Sequence, residues 1–85
     1  MEIIYQEEVI HKHIPSLKSK ERMLIKDAIE QRLMVDPIRF GKPLRYSLKG
    51  HRILYVSKHC ILYRLEATSI IVVAIRHSNN IYNHA

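Results

Sequence analysis

The sequence predicts an α+β domain with the element order β-α-α-β-β-β, in which a helical hairpin packs on a small antiparallel sheet. Two observations predict it. Three short apolar runs between residues 51 and 75 are separated by only a few residues, and connections that short join antiparallel neighbours. Before residue 36, two stretches have apolar residues at helical spacing. A chain of 85 residues has room for one core, so we expect a single domain over residues 1–85.

The first half of the chain contains one predicted strand and both predicted helices. Glu2–Tyr5 is a short apolar run that suits a strand added beside the other three. Gln6–Ile14 has apolar residues at helical spacing and ends at Pro15, whose ring disfavours continuing the helix. A longer helix is predicted from Ser19, its expected N-cap, to about Val35, because a proline follows two residues later. Its predicted core-facing residues are Leu24, Ile25, Ala28, Ile29 and Leu33.

The second half contains a predicted loop and three predicted strands. Asp36–Ser47 holds two prolines and a glycine, which predicts a loop with a turn. The strands are predicted over His51–Ser57, His59–Glu66 and Ser69–Ile75. Because side chains alternate along a strand, we expect one apolar face that needs a core and one face that carries arginines and stays uncovered. The apolar face would carry Ile53, Tyr55, Ile61, Tyr63, Ile71, Val73 and Ile75, and the other face Arg52, Cys60, Arg64 and Arg76.

Positive charge is concentrated in the second half. Residues 1–36 hold six basic and seven acidic side chains, whereas residues 37–85 hold eight basic side chains and one acid, Glu66. An excess of this size favours a polyanionic partner, either nucleic acid or an acidic protein segment, through phosphate contacts and counterion release. A solvated basic surface without a ligand is the alternative.

Several kinds of site are disfavoured. The six histidines lack metal-ligand spacing and no cysteine pair accompanies them, so we expect no metal site. Cys60 lies in an apolar strand, where a thiol is usually a small hydrophobic group and not a nucleophile. Glu66 alone cannot form a pair of carboxylates for acid–base catalysis. The acidic N-terminus and the lack of an apolar run of about 20 residues predict a cytoplasmic protein that does not span a membrane.

The remaining candidate residues suit phosphate chemistry. Guanidinium groups bind a phosphodiester through paired hydrogen bonds and stabilise the charge that develops when a ribose 2′-oxygen attacks phosphorus, while a tyrosine or histidine moves the proton. For each arginine alone the alternative is a solvent-exposed or salt-bridged strand residue, and we favour that alternative for Arg64. The candidates are Arg45, Lys49, Arg52, Arg64, Arg76, His77 and Tyr82.

Four segments together resemble the RelE/ParE superfamily of toxins from type II toxin–antitoxin systems. They are GKPLRYSLKGHRIL from Gly41, CILYRL from Cys60, VVAIRH from Val72 and the final Ile81-Tyr82. The resemblance spans nearly the whole chain and implies a small antiparallel sheet with a helical hairpin, as expected above. RelE-like members are ribosome-dependent endoribonucleases that cleave messenger RNA, and ParE-like members inhibit DNA gyrase. An antitoxin neutralises both kinds.

The resemblance also implies roles for single residues. It places Arg52 and Arg76 at basic active-site positions, Tyr82 at a C-terminal tyrosine and His77 at a histidine common in many members. Two positions depart from the family pattern. A strand arginine that is important for RNA cleavage in RelE-like members is Cys60 here, and a second basic position is Leu54.

The leading functional prediction is a RelE-like toxin that cleaves messenger RNA on the ribosome without a metal or organic cofactor. Arg52 and Arg76 would hold the phosphate, and Tyr82 or His77 would assist proton transfer. The predicted RNA-binding residues are Arg45, Lys49 and Arg64. The alternative is a ParE-like inhibitor of DNA gyrase without nuclease activity, and a third possibility is a decayed toxin that only binds an antitoxin. We expect a cognate antitoxin as partner in every case.

Overall fold

A five-stranded mixed sheet organises the chain, and the helices pack on one of its faces. The computed structural model describes residues 1–79, within which the strand order is β1-β5-β4-β3-β2. The predicted meander is formed by β3 (His51–Val56), β4 (His59–Glu66) and β5 (Ser69–His77). The first strand, β1 (Glu2–Tyr5), runs parallel to β5, and the two-residue β2 (Lys42–Pro43) pairs antiparallel with β3. The predicted α+β class is therefore confirmed; the sheet has one more strand than expected and is mixed instead of antiparallel, because β1 is parallel to its neighbour.

Both predicted helices form, and each contains a π-helical segment. The first is π1 (Val9–His13), and Pro15 follows it as predicted. The second begins as α1 (Ser19–Ala28) and continues as π2 (Ile29–Leu33), so it ends close to the predicted position.

The N-cap prediction for the long helix is wrong by one residue. Lys18 is the N-cap, and its backbone N–H donates a hydrogen bond to the Glu21 carboxylate at 2.8 Å. The acidic side chain in the first turn thus accepts from the backbone N–H of the N-cap residue, as the Glu of a capping box does.

The hydrophobic core lies between the helices and one face of the sheet. Four of the five predicted core-facing residues of the long helix are buried, whereas Leu24 remains 43% exposed. Burial of so many aliphatic side chains in one layer, at about 1.5–3 kcal/mol each, provides the main driving force for folding. The buried residues of this core are Val9, Leu17, Ile25, Ala28, Ile29, Leu33, Leu54, Val56, Ile61, Tyr63, Ile70, Val72 and Ile75.

The predicted division of the sheet into two faces is wrong. We call the side that packs on the helices the helix face and the other side the outer face. Leu54 of β3 shares the helix face with Ile61, its direct neighbour in β4, while Ile53 lies beside Leu62 on the outer face. The reason is the two-residue turn between β3 and β4, which pairs odd-numbered residues of one strand with even-numbered residues of the next.

The two-residue turn between β4 and β5 inverts the alternation a second time, and a bulge within β5 inverts it a third time. Tyr63 pairs with Val72 but Leu62 pairs with Ala74, so Val73 has no opposite residue in β4. An extra residue of this kind turns every later side chain to the other face. As a result Ile75 faces the helices, whereas Ile71 lies on the outer face.

The segment predicted as a loop over residues 36–47 is more ordered than expected. It contains the short helix α2 (Pro37–Phe40), then β2, and a 3₁₀ turn at Tyr46–Leu48. Asp36 caps α2, since its carboxylate accepts a hydrogen bond from the Arg39 N–H at 3.1 Å. Proline at the first helical position and aspartate before it are favourable signals for a helix start.

Within residues 1–79, every helix is too short or too polar to cross a bilayer.

Candidate functional site

Arg52 binds the preceding segment of the chain. Its Nη2 donates hydrogen bonds to the carbonyl oxygens of Ile38 at 2.6 Å and Gly41 at 2.8 Å. Ile38 lies in α2 and Gly41 follows its last residue. The last carbonyl groups of a helix have no hydrogen-bond donor within the helix. The guanidinium of Arg52 therefore fastens α2 to the sheet.

Tyr63 reinforces the same attachment from the neighbouring strand. It lies directly opposite Arg52, is fully buried, and donates a hydrogen bond from its hydroxyl to the Pro37 carbonyl at 2.6 Å. Burial raises the pKa of Tyr63, while the hydrogen bond and charge of Arg52 act in the opposite direction. The phenol thus stays neutral and acts as a structural donor. We call Arg52, Tyr63 and the carbonyls of residues 37, 38 and 41 the α2 anchor.

Arg76 lies on the opposite face of the sheet from Arg52. Arg52 shares the helix face with Tyr63, whereas Arg76 pairs with Cys60, three residues away along β4, and so lies on the outer face. Three residues along a strand and two strand spacings separate their Cα atoms by about 14 Å. The prediction that Arg52 and Arg76 project from the same face is therefore wrong. One phosphodiester cannot reach both guanidinium groups through the sheet, so joint binding of one phosphate is not supported.

Arg76 instead contacts His13, which is not among the residues predicted for phosphate chemistry. β1 pairs with β5 only over Ser69–Val72, and π1 covers the edge of β5 beyond it. There the Ile75 N–H donates to Nδ1 of His13 at 3.2 Å, and Nη1 of Arg76 lies 3.0 Å from Nε2 of the same ring.

His13 is a buried titratable group, with 7% of its surface exposed. Burial lowers the pKa of His13, the charge of Arg76 lowers it further, and Lys12 acts in the same direction against Glu8. The ring is therefore held in its neutral form. The sequence signal for this group is a histidine at helical spacing with the apolar residues Val9, Ile10 and Ile14. A polar side chain in such a row is expected to be buried and therefore needs a hydrogen-bond partner.

His77 belongs to a different cluster, on the helix face. Its ring lies edge-on to His59 with 5.6 Å between centroids, and Nε2 of His59 lies 3.6 Å from the Glu21 carboxylate. The backbone N–H of Asn79 donates to Nδ1 of His77 at 3.3 Å. The pKa of Glu21 is lowered, first by the Lys18 N–H and also by His59. His77 thus follows Arg76 in the chain but points to the other side of the strand.

The predicted RNA-binding residues lie toward the other end of the sheet. Arg45 and Lys49 are exposed and flank the 3₁₀ turn before β3, whose first residue, His51, pairs with Arg64. The Nε of Arg64 donates to Glu66 at 3.3 Å, so this arginine is salt-bridged, as favoured above. The structure therefore places these residues apart from Arg76 and His13. Tyr82 lies outside the described residues.

Cys60 is fully buried on the outer face, beside Arg76. Burial raises the pKa of this thiol, although a hydrogen bond with the Arg76 backbone opposes the effect. The position at which the resemblance implied a strand arginine thus holds a small, buried side chain. Its neighbours on that face, Ile53, Leu62, Ile71 and Ala74, are also buried.

An apolar groove of about 410 Å³ lies between the edge strand β1 and the helical layer. Charged side chains from one side of the long helix border it. Its apolar lining is Ile3, Tyr5, Ile14, Leu17, Ile25, Ile29, Met34 and Ile75, and its charged border is Arg22, Lys26 and Glu30.

Two solved structures share the fold of this chain. One is the RelBE2 toxin in the toxin–antitoxin complex from Mycobacterium tuberculosis, with a TM-score of 0.82 and 20% sequence identity, covering 89% of this chain and 95% of that chain. The other is YafQ from E. coli strain BL21(DE3), with a TM-score of 0.57 and 18% identity, covering 95% and 97%. At these identities the matches show the fold, so the RelE-like fold that the resemblance implied is confirmed. No family model and no curated protein sequence matches this chain.

Proposed function

We propose that this chain is the toxin of a type II toxin–antitoxin pair and acts as a RelE-like, ribosome-dependent endoribonuclease on messenger RNA. The observation that carries the proposal is the RelE-like fold, matched over 89% of the chain, together with the strongly basic sheet half. A basic surface favours RNA through phosphate contacts. The toxin RelBE2 is the relative most informative about partners, because it was crystallised with an antitoxin.

We propose the following roles for single residues. Arg76 is exposed on the outer face and supplies the guanidinium that contacts the phosphate. Tyr82 is the candidate for proton transfer, whereas His77 lies on the opposite face of the sheet from Arg76 and would act only on RNA that reaches the C-terminal end of β5. Arg45 and Lys49 would contact RNA toward the other end of the sheet. Arg52 acts in this proposal through the α2 anchor and not on the phosphate.

Mapping messenger RNA ends tests the nuclease proposal directly. The chain is expressed from a tightly controlled promoter in translating cells, and new 5′ ends are located relative to codon positions. We expect cuts at fixed positions within codons, and we expect Arg76→Ala to abolish them while Arg32→Ala, an exposed arginine on the helical layer, does not. Growth arrest without codon-positioned cuts would refute the nuclease proposal.

A ParE-like gyrase inhibitor is the second candidate, and two observations favour it. The guanidinium of Arg52 is bound to backbone carbonyls, and Cys60 replaces a strand arginine expected in RelE-like nucleases. Both reduce the charge available to stabilise the transition state of phosphodiester cleavage. Purified protein added to a DNA supercoiling reaction distinguishes the candidates, because only the ParE-like function predicts loss of gyrase activity.

We assign the apolar groove beside β1 to the antitoxin. An edge strand next to an apolar groove can receive an extended segment or an amphipathic helix of a partner. The test is co-purification with the small acidic protein expected to be encoded beside this gene. Met34 lines the groove and is 43% exposed, whereas Met23 is 65% exposed and does not line it. Met34→Lys should weaken co-purification and Met23→Lys should not; equal retention of the antitoxin by both variants would refute this placement.

A further inference from the structure

His13 faces two hydrogen-bond donors but has only one acceptor nitrogen. The Ile75 N–H approaches Nδ1 and the Arg76 guanidinium approaches Nε2. A neutral imidazole carries one proton, so one ring nitrogen accepts and the other donates, and a guanidinium never accepts. In either tautomer, one of the two contacts therefore sets a donor against a donor.

The backbone contact decides which tautomer forms. Ile75 is buried in the sheet, and a buried N–H left without an acceptor is costly. Arg76 is exposed and can turn its guanidinium toward water. Nδ1 of His13 therefore accepts from Ile75, and Nε2 carries the proton. Among residues 1–79, this buried Nε2–H has the guanidinium of Arg76 as its neighbour and no acceptor.

We infer that the Nε2–H of His13 and the guanidinium of Arg76 together form a binding site for a phosphate oxyanion. An oxygen atom that accepts from both donors satisfies the buried Nε2–H and removes the donor–donor conflict, and charge-assisted hydrogen bonds of this kind are strong. Binding requires the exposed Arg76 side chain to move away from the ring and leave space for this oxygen. The assignment of the phosphate to the RNA backbone rests on the proposed function; the site itself requires only an oxyanion.

The charges around the site are consistent with this ligand. Arg76 from β5 and Lys12 from π1 are the cations that lower the pKa of His13, and Glu8, which precedes π1, opposes them. Glu8 forms an ion pair with Lys12 at 3.8 Å. A bound phosphate adds negative charge next to the ring and so stabilises the imidazolium, which raises the pKa of His13.

Nuclear magnetic resonance of the histidine rings, with inorganic phosphate as the probe, tests the site in the intact chain. Phosphate is exchanged for chloride at constant ionic strength. We expect a saturable change in the His13 ring nitrogen signals and a rise in the pKa of His13, with smaller changes at the exposed His11. Arg76→Ala should weaken phosphate binding about tenfold or more, while Arg32→Ala should leave it unchanged.

A second measurement separates the phosphate site from the nuclease proposal. A short DNA oligonucleotide lacks the 2′-hydroxyl and cannot be cleaved by 2′-oxygen attack, but it should compete with phosphate at His13. Phosphate and oligonucleotide binding without messenger RNA cleavage would support the site and refute the nuclease. Equal His13 responses to phosphate and chloride, or an unchanged phosphate affinity in Arg76→Ala, would refute the site whatever the outcome for cleavage.

Discussion

The hydroxyl of Tyr63 lies against the α-carbon of Gly41, in the space that a Cβ atom at position 41 would occupy. The same hydroxyl donates to the Pro37 carbonyl at 2.6 Å. Gly41 is buried, so the absence of a side chain lets the chain pass close to the phenol. This contact explains why a glycine begins the GKPLRY segment on which the family resemblance partly rests.

Gly41→Ala should destabilise the protein. The added methyl group displaces the Tyr63 hydroxyl, and overpacking of this kind costs about 1–3 kcal/mol. Urea unfolding followed by circular dichroism measures the change. Tyr63→Phe should cost about 1–2 kcal/mol by itself, because it leaves the Pro37 carbonyl without its donor. In the double variant part of the overlap is relieved, so the two costs should not add; simple additivity would contradict the contact.

Arg52→Lys should lower the free energy of unfolding by about 1–3 kcal/mol, because an ammonium group cannot reproduce the guanidinium contacts with the Ile38 and Gly41 carbonyls. The same unfolding assay applies. Arg32→Lys, an exposed arginine on the helical layer, is the matched control and should change stability by less than about 0.5 kcal/mol. Equal stability of the two variants would show that Arg52 does not hold α2.

Acidification should destabilise the protein through His13. Because the pKa of His13 is lowered on folding, the unfolded chain binds a proton that the folded chain does not. The stability is therefore fully present above the ordinary histidine pKa of about 6.5 and is lost as the pH falls below it, down to the folded pKa. Urea unfolding between pH 8 and 5 should show a steeper loss for the native chain than for His13→Gln. Parallel curves would contradict the assignment, since the other histidines are common to both proteins.

Cys60 should resist thiol reagents while the protein is folded. Its side chain is fully buried and burial raises its pKa, so both access and thiolate formation are suppressed. Reaction with a disulfide reagent should be roughly a hundredfold slower than in urea. A Thr68→Cys variant in a Cys60→Ala background supplies an exposed thiol for comparison, because Thr68 lies in an exposed turn. Similar rates at positions 60 and 68 would show that the outer face is open.

Arg45 and Lys49 should contribute salt-dependent RNA affinity. Both are exposed, and replacing both with alanine should reduce the slope of log affinity against log salt by about 1.4, at about 0.7 per phosphate contact with single-stranded RNA. Fluorescence anisotropy with a labelled RNA at several salt concentrations measures the slope. The charge-matched control, Lys20→Ala with Arg32→Ala, alters the exposed side of the long helix and should leave the slope unchanged. Equal slopes for both double variants would indicate that RNA affinity depends on the total positive charge of the protein and not on Arg45 and Lys49 in particular.

Local patterns predicted most of the secondary structure. The bounds of β4 agree with the prediction, β1 and β3 agree within a residue, and the two helices end where prolines follow. The ordered segment after Asp36 was predicted as a loop although Asp36 and Pro37 are helix-start signals, because its four-residue helix is too short to show periodicity. Its stability depends on Arg52 and Tyr63, which follow it by 11 or more residues. Contacts over that separation leave no periodic signal in the sequence.

The sequence by itself determined the α+β class, the order of the main elements, the basic charge of the sheet half and the RelE-like resemblance, because these depend on local periodicity, short connections and composition. Only the tertiary structure decided which side chains share a face. Two two-residue turns and the bulge at Val73 inverted the alternation three times, placed Arg52 and Arg76 on opposite sides of the sheet and left Arg76 beside His13. Strand register depends on pairing between chain segments, so a one-residue shift that barely alters any local pattern reassigns the residues that can act together.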